Sequence, residues 1–208
     1  MGIPVMIMGA SGSGKSASMR NFKENEVGII NVSGKPLPFK NSLKTFNSDD
    51  YQAISGVLSK AKTKSIVIDD CQYLMANEFM RNAKVNGYQK FTDIGLNFWN
   101  LIQYVIKGMS QDSIVYFLAH TEKDADGHEK MKTIGKMLDE KITIEGLFTI
   151  VLKTVVQDGS YRFSTQTNGQ DTVKSPMGMF DPMIENDLKF VDETIRSFYD
   201  LKSGDLNG

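Results

Sequence analysis

A glycine-rich turn near the first residue constrains the fold of this chain more than any other feature. The short apolar run Ile3-Pro-Val-Met-Ile-Met8 stops at Gly9, and glycines recur at positions 12 and 14. Glycine tolerates backbone angles and close approaches that a side chain would block. The segment Lys-Ser-Ala-Ser-Met-Arg at residues 15–20 follows the last of these glycines. This order predicts a buried strand, a tight loop and then a helix.

The loop matches a pattern that binds phosphates at a strand-to-helix turn, a glycine, four residues and Gly-Lys-Ser. In that pattern backbone N–H groups face the phosphates, the lysine contacts the β and γ phosphates, and the serine hydroxyl holds Mg²⁺. We therefore predict a site for ATP and Mg²⁺, with Lys15 catalytic and Ser16 on the metal. A glycine-rich turn that matches by chance is the alternative. The predicted nucleotide-binding residues are Gly9, Ala10, Ser11, Gly12, Ser13, Gly14, Lys15, Ser16 and Ala17.

Two later apolar runs end in polar side chains that could serve the same site. Ser65-Ile-Val-Ile-Asp-Asp70 closes on two carboxylates, and the run at residues 113–120 closes on His120. We predict that Asp69 holds the metal, with a capping or turn aspartate as the alternative. Asp70 is either a general base for the attacking water or a solvated carboxylate. His120 is predicted to sense the γ phosphate, and the alternative is a histidine that is only hydrogen-bonded.

Strands and helices alternate along most of the chain. Near-continuous apolar runs predict strands, and helical spacing predicts helices near residues 48–61, 92–108 and 186–201. This alternation predicts an α/β fold with a mostly parallel sheet flanked by helices. Asp158-Gly159 between two apolar stretches predicts a late antiparallel hairpin. One domain is expected over residues 1–202, with a flexible tail at residues 203–208.

The overall charge argues against a molecule that is drawn as a whole to a polyanion. The 24 basic residues nearly cancel the 25 acidic residues, and the single cysteine, Cys71, allows no internal disulfide. No segment reaches membrane-spanning length, so we expect no membrane partner and a location in the cytoplasm.

A small cationic and aromatic patch is a local candidate for binding nucleic acid. Residues 79–90 contain Arg81, Lys84, Tyr88 and Lys90 and no acidic side chain. Such a patch can hold backbone phosphates and stack a base, but an exposed polar loop explains it equally well. The charged loop at residues 121–141 has five lysines and six carboxylates, so its charge does not indicate DNA binding.

The phosphate-binding pattern and the strands ending Val67-Ile-Asp-Asp70 and Phe117-Leu-Ala-His120 resemble the RecA-like ATPases. They are most similar to the short phage-borne members that assist single-strand annealing and recombination. The likeness covers most of the chain and includes Phe148-Thr-Ile-Val-Leu, Tyr161-Arg-Phe and Val173-Lys-Ser-Pro-Met-Gly178. It implies a RecA-like P-loop ATPase that binds single-stranded DNA when ATP is bound. It also implies the cytoplasm of a phage-infected or prophage-bearing bacterium.

By the same resemblance, Lys174 is a catalytic lysine that reaches the nucleotide of a neighbouring subunit in a ring or filament. A single-strand-binding protein is a further implied partner, and the chain after Asp70 and after His120 would line the DNA channel. The sequence departs from the family at two places. Asn31-Val-Ser33 stands where a catalytic glutamate is usual, and Pro176 replaces an arginine. These departures predict slow or DNA-dependent hydrolysis and favour Asp70 as the base.

Two other functions share the same loop. A small-molecule or nucleotide kinase usually needs an arginine-rich lid, but the four arginines are scattered and none lies in residues 121–141. A nucleotide-gated binding module, such as a helicase loader, would bind ATP with little turnover.

Overall fold

A mixed sheet of nine strands forms the centre of the computed structural model, which describes residues 1–202 apart from the side chains of residues 139 and 140. The tail predicted for residues 203–208 lies outside the described residues. The strands are β1 (Ile3–Gly9), β2 (Val27–Asn31), β3 (Thr45–Asn47), β4 (Ser65–Asp69), β5 (Ile114–Lys123), β6 (Glu129–Met131), β7 (Ile150–Gln157), β8 (Ser160–Ser164) and β9 (Met183–Glu185). The α-helices are α1 (Tyr51–Lys60), α2 (Gln72–Arg81), α3 (Gln89–Gly108) and α4 (Leu188–Phe198).

The strand order is β3-β2-β4-β5-β1-β7-β8-β9, and β6 pairs with β5 outside this path. The pairs from β3 to β7 are all parallel, whereas β5–β6, β7–β8 and β8–β9 are antiparallel. This arrangement confirms the predicted α/β fold with a mostly parallel sheet and a late hairpin. The hairpin turn places Asp158 at φ 52° and Gly159 at φ 74°, which are the left-handed angles that an Asp-Gly turn supplies.

Apolar side chains pack on both faces of the sheet, which explains why the parallel strands are apolar at nearly every position. Met6 and Met8 of β1 belong to a core that α1, α2 and α3 cover. Val5 and Ile7 alternate with them and belong to a second core, under α4. Side chains of β1 therefore alternate between the two cores, with a period of two residues. The loop after Gly9 begins at the carboxyl-terminal end of this strand.

Several elements differ from the sequence-based prediction. The helix after the glycine loop is only a 3-10 turn, Ser16–Asn21. Helix α2 follows Asp70 almost directly, so no free loop leaves the sheet there. The charged segment at residues 121–141 is not one loop, because it contains the end of β5, the strand β6 and a π-helical turn, Met137–Lys141. The three-residue strands β3 and β9 were also not predicted.

Candidate phosphate-binding site

The glycine loop lies at the carboxyl end of β1, where the neighbouring strands also end in polar residues. Gly9 is in register with His120 of β5, and Asn31 of β2 is in register with Asp69 of β4. Strand β5 lies between β1 and β4. The parallel strands therefore bring His120 and the Asp69 carboxylate to the edge that carries the loop. Residues 9–17 are called the phosphate loop from here on.

The glycines of the phosphate loop serve two different purposes. Gly12 and Gly14 have φ angles of 76° and 95°, which side chains rarely adopt. Gly9 is needed for space instead, because an added Cβ would lie 1.8 Å from Thr154 Oγ1 of β7. Thr154 shares a hydrogen bond of 2.5 Å with Ser13 Oγ, and Ser13 Oγ also donates to the Ala10 carbonyl at 2.6 Å. The loop is thereby tied to the adjacent strand.

The ammonium group of Lys15 lies inside the loop. Its Nζ donates to the carbonyl oxygens of Gly9 and Ala10, each at 2.9 Å, and the residue is 5% exposed. Burial lowers the pKa of Lys15, and the negative charges of Asp70 and Asp69 oppose that shift. A phosphate oxygen is a stronger partner for the ammonium than a carbonyl oxygen, because both partners are then charged.

A hydroxyl and a carboxylate meet beside Lys15. Ser16 Oγ donates to Asp69 Oδ1 at 2.9 Å across 53 residues of sequence. Burial raises the pKa of Asp69 to about 6, with the charge of Asp70 adding to the shift and the Ser16 hydrogen bond opposing it. A divalent cation would favour the ionised form, and Mg²⁺ prefers oxygen ligands such as these two. The pair therefore fits a magnesium site.

Asp70 and His120 contact each other. His120 Nε2 lies 3.3 Å from Asp70 Oδ1, and Asp70 has a φ of 59° in the left-handed region. Burial would raise the pKa of Asp70, but the His120 hydrogen bond and the charges of His120 and Lys15 hold it below its usual value. Gln72 and Tyr73 support the histidine, through a hydrogen bond from the His120 N–H at 3.2 Å and an edge-on ring contact at 6.1 Å. Asp70 is thus neither free nor simply solvated.

An open cleft of about 380 Å³ lies along the phosphate loop. Most of the predicted loop residues line it, together with Asp70 and His120, whereas the buried Ser13 and Asp69 are not part of the lining. The sequence did not single out Lys35, Pro38, Tyr73 and Tyr161, which complete the wall. Tyr161 lies against Gly14, where an added Cβ would be 2.8 Å from its ring. The full lining is Ser11, Gly12, Gly14, Lys15, Ser16, Ala17, Lys35, Pro38, Asp70, Tyr73, His120 and Tyr161.

The residues just before α4 brace the 3-10 turn that follows the phosphate loop. Arg20 Nη1 donates to the carbonyl oxygen of Asn186, and Asn21 Nδ2 donates to Asp187 Oδ2 at 2.6 Å. The same Asp187 carboxylate caps α4 by accepting from Lys189 N–H. A six-residue turn has little helical stability of its own, so these side chains fix its position.

The other predicted site residues lie elsewhere. Lys174 is exposed, and its backbone N–H and carbonyl pair with Val151 at 2.9 and 2.8 Å. Val151 is in register with Met6, three residues before the end of β1, and Lys174 does not line the cleft of its own chain. In this single chain Lys174 is therefore not part of the cleft wall.

The cationic patch is divided between paired and exposed side chains. Arg81 forms an ion pair with Asp49 at 2.6 Å, and Lys90 Nζ lies 5.4 Å from the rings of Phe79 and Phe91. Lys84 and Tyr88 are exposed in the connection between α2 and α3, and Tyr88 is 90% exposed. Helix α2 stands where a DNA-lining loop was expected after Asp70, and the chain after His120 continues β5 into a hairpin with β6.

No protein-family model matches the chain, and a search of curated proteins finds no match. Within the described part of the chain, no helix combines the length and apolar character needed to cross a membrane.

Proposed function

We propose that this protein is a P-loop ATPase with a RecA-like fold, which binds ATP and Mg²⁺ in the cleft beside the phosphate loop. The observation that carries the proposal is the 2.9 Å hydrogen bond from Ser16 to the buried Asp69. It joins the last part of the phosphate loop to the end of a strand two positions away in the sheet. A chance glycine turn would have no reason to place its hydroxyl on a buried carboxylate.

Each group in the site has a part in this function. The phosphate loop and Lys15 neutralise the β and γ phosphates, and Ser16 and Asp69 would hold Mg²⁺, which offsets the charge of the transferring phosphoryl group. Asp70 orients the attacking water. The contact with His120 Nε2 at 3.3 Å occupies one carboxylate oxygen of Asp70 that could accept the proton of the water, so we expect slow hydrolysis. His120 detects the loss of the γ phosphate through its contact with Asp70.

The wider role in recombination or single-strand annealing is proposed on the family resemblance. The exposed Lys84 and Tyr88 support a contact with single-stranded DNA, since one offers charge and the other a stacking surface. The exposed position of Lys174, outside the wall of its own cleft, supports self-association through a contact with a neighbouring subunit. A single-strand-binding protein and the cytoplasm of a phage-infected bacterium belong to the same proposal.

One observation favours a second function, a nucleotide-gated binding module that turns over little ATP. The side chain of Asn31, at the position where the family usually has a catalytic glutamate, is occupied by hydrogen bonds to the turn that follows it. With Asp70 bound to His120, neither position offers an unengaged base. Binding would then control the shape of the protein without rapid hydrolysis.

Titration with fluorescent ATP in the presence of Mg²⁺ tests the proposal directly. We expect saturable binding by the wild type, and loss of binding by Lys15→Ala, with the exposed Lys60→Ala as the matched control. Thermal unfolding of both variants shows whether they are folded. Full binding by a folded Lys15→Ala variant would contradict the site assignment.

ATP turnover separates the two functions. We expect phosphate release that increases when single-stranded oligonucleotide is added. Tight binding without measurable release, with or without the oligonucleotide, would favour the binding module. A requirement for a phosphate acceptor would instead indicate a kinase.

A further inference from the structure

The turn after β2 is fixed by the buried side chain of Asn31. Its Oδ1 accepts from the Gly34 N–H at 2.9 Å, and its Nδ2 donates to the Lys35 carbonyl at 2.7 Å. Ser33 Oγ donates to the same Oδ1 at 3.3 Å, and Gly34 has a φ of 67°. Because Asn31 is 3% exposed and ends a central strand, the turn is attached firmly to the edge of the sheet.

This turn carries a cationic side chain into the cleft. Lys35 lines the cleft, and its Nζ lies 5.6 Å from the centre of the Tyr73 ring. The Tyr73 ring in turn meets His120 edge-on. Among the described side chains, no carboxylate forms an ion pair with Lys35. The ammonium group is therefore available at the end of the cleft that holds Asp70 and His120.

The Lys35 ammonium group can offset negative charge in the cleft. A bound triphosphate adds several negative charges beside Asp69 and Asp70, and Lys15 is the other cation that lines the cleft. The Asp70 and His120 end is where the terminal phosphate lies in the proposed function. We propose that Lys35 contacts the terminal phosphate of the bound nucleotide from within the same chain. This inference rests on the proposed function and adds a binding residue to it.

The assignment also gives a role to Asn31. It holds the backbone of residues 34 and 35, and through that backbone it positions the Lys35 side chain. Asn31 is a positioning residue, whereas Lys35 is the group that meets the phosphate. A cation supplied in this way makes recognition of the terminal phosphate possible in a single subunit, without Lys174 of a neighbour.

The test compares a nucleotide that carries a terminal phosphate group with one that lacks it. Dissociation constants are measured for ADP and for a non-hydrolysable ATP analogue, with the wild type, Lys35→Ala, Lys35→Arg and the control Lys40→Ala. Lys40 is exposed on the same connection and does not line the cleft. A hydrogen bond between charged groups contributes roughly 1.5–3 kcal/mol. Lys35→Ala should therefore weaken binding of the ATP analogue about 10- to 100-fold. ADP should change by less than about 3-fold, and Lys35→Arg should retain most of the affinity for the analogue.

Three results would overturn the inference. If Lys35→Ala leaves the affinity for the analogue unchanged while the wild type binds it, Lys35 does not contact the phosphate and the proposed function stands. If ADP and the analogue weaken equally, the contact is not with the terminal phosphate. If the wild type binds neither nucleotide, the proposed function fails and the role of Lys35 fails with it.

A second pair of variants tests the role of Asn31. Asn31→Ala should weaken binding of the ATP analogue, as Lys35→Ala does. The double variant should bind the analogue no more weakly than Lys35→Ala alone. Additive losses in a folded double variant would show that Asn31 does not act through Lys35.

Discussion

The substitution Gly9→Ala tests the packing of the phosphate loop against β7. The added Cβ would lie 1.8 Å from Thr154 Oγ1 and 2.8 Å from Ser13 Oγ, whereas ordinary contacts begin at about 3.4 Å. Thr154 cannot move away easily, because β7 is paired on both sides and its hydroxyl is hydrogen-bonded to Ser13. Forcing such an overlap into a packed interior costs about 1–3 kcal/mol, so the free energy of unfolding should fall by that amount.

Removal of the opposing hydroxyl should relieve the cost. In a Thr154→Ala background the nearest remaining Thr154 atom is Cβ, at 3.1 Å from the new methyl group. Thr154→Ala alone should cost about 1 kcal/mol, through loss of the hydrogen bond to Ser13. The double variant should then be more stable than the sum of the single variants predicts, by about 1–2 kcal/mol.

Urea unfolding of the four proteins gives this coupling energy. Gly12→Ala is the matched control, since Gly12 has a φ of 76° and open space around it. It should cost about 1–2 kcal/mol through its backbone angle, and Thr154→Ala should not restore that loss. Additive effects of Gly9→Ala and Thr154→Ala, within about 0.5 kcal/mol, would refute the packing argument.

Three other predictions follow from charged groups. The folded chain raises the pKa of Asp69 from 3.8 to about 6, so the nucleotide-free protein should lose stability as pH rises through this window, whereas binding of Mg²⁺ with ATP should strengthen. Denaturation and nucleotide titrations from pH 4 to pH 8 measure how stability and binding depend on pH, and Asp69→Asn should remove both dependences. The same pH dependence in the wild type and in Asp69→Asn would exclude Asp69 as its source. Asp192→Ala should lower the free energy of unfolding by about 3–5 kcal/mol, because it leaves the buried guanidinium of Arg196 without its 2.7 Å partner, whereas the exposed Glu193→Ala should have little effect. Lys174→Ala should leave nucleotide binding by single subunits intact and reduce ATP turnover by assembled protein, and unchanged turnover would contradict a contribution between subunits.

The sequence predicted the sheet well because the strands that form its centre are buried on both faces. Residues 66–68 and 114–119 are apolar runs, and burial on both faces requires such a run in a central strand. The short strands β3 and β9 were missed because β3 is wholly exposed and β9 has one buried residue. Helix α2 was missed because its buried side, Gln72, Leu74 and Met75, is short and its N-terminus has no side-chain cap.

The sequence predicted those site residues that belong to the glycine-rich motif or lie near the end of an apolar run. The phosphate loop follows β1, and Asp69 and Asp70 lie at the end of β4, as the apolar runs predicted. His120 was expected to end its strand, but β5 continues to Lys123, and the register with Gly9 is what brings His120 beside the loop. Lys35 and Tyr161 could not be found in this way, because each reaches the cleft through a tertiary contact. Nothing in a turn such as Gly34-Lys35-Pro36 shows that the preceding asparagine holds it against a distant tyrosine.

The bracing of the 3-10 turn by Asn186 and Asp187 affects how the protein acquires its site during synthesis. A nascent chain that stops before Asn186 already contains the whole phosphate loop, but Arg20 and Asn21 lack their hydrogen bonds to Asn186 and Asp187 there. The six-residue turn after the loop then lacks the contacts that fix it. We therefore expect the loop to acquire its final shape only after residues 186 and 187 have been synthesised, and under the proposed function a growing chain would bind ATP only after that point.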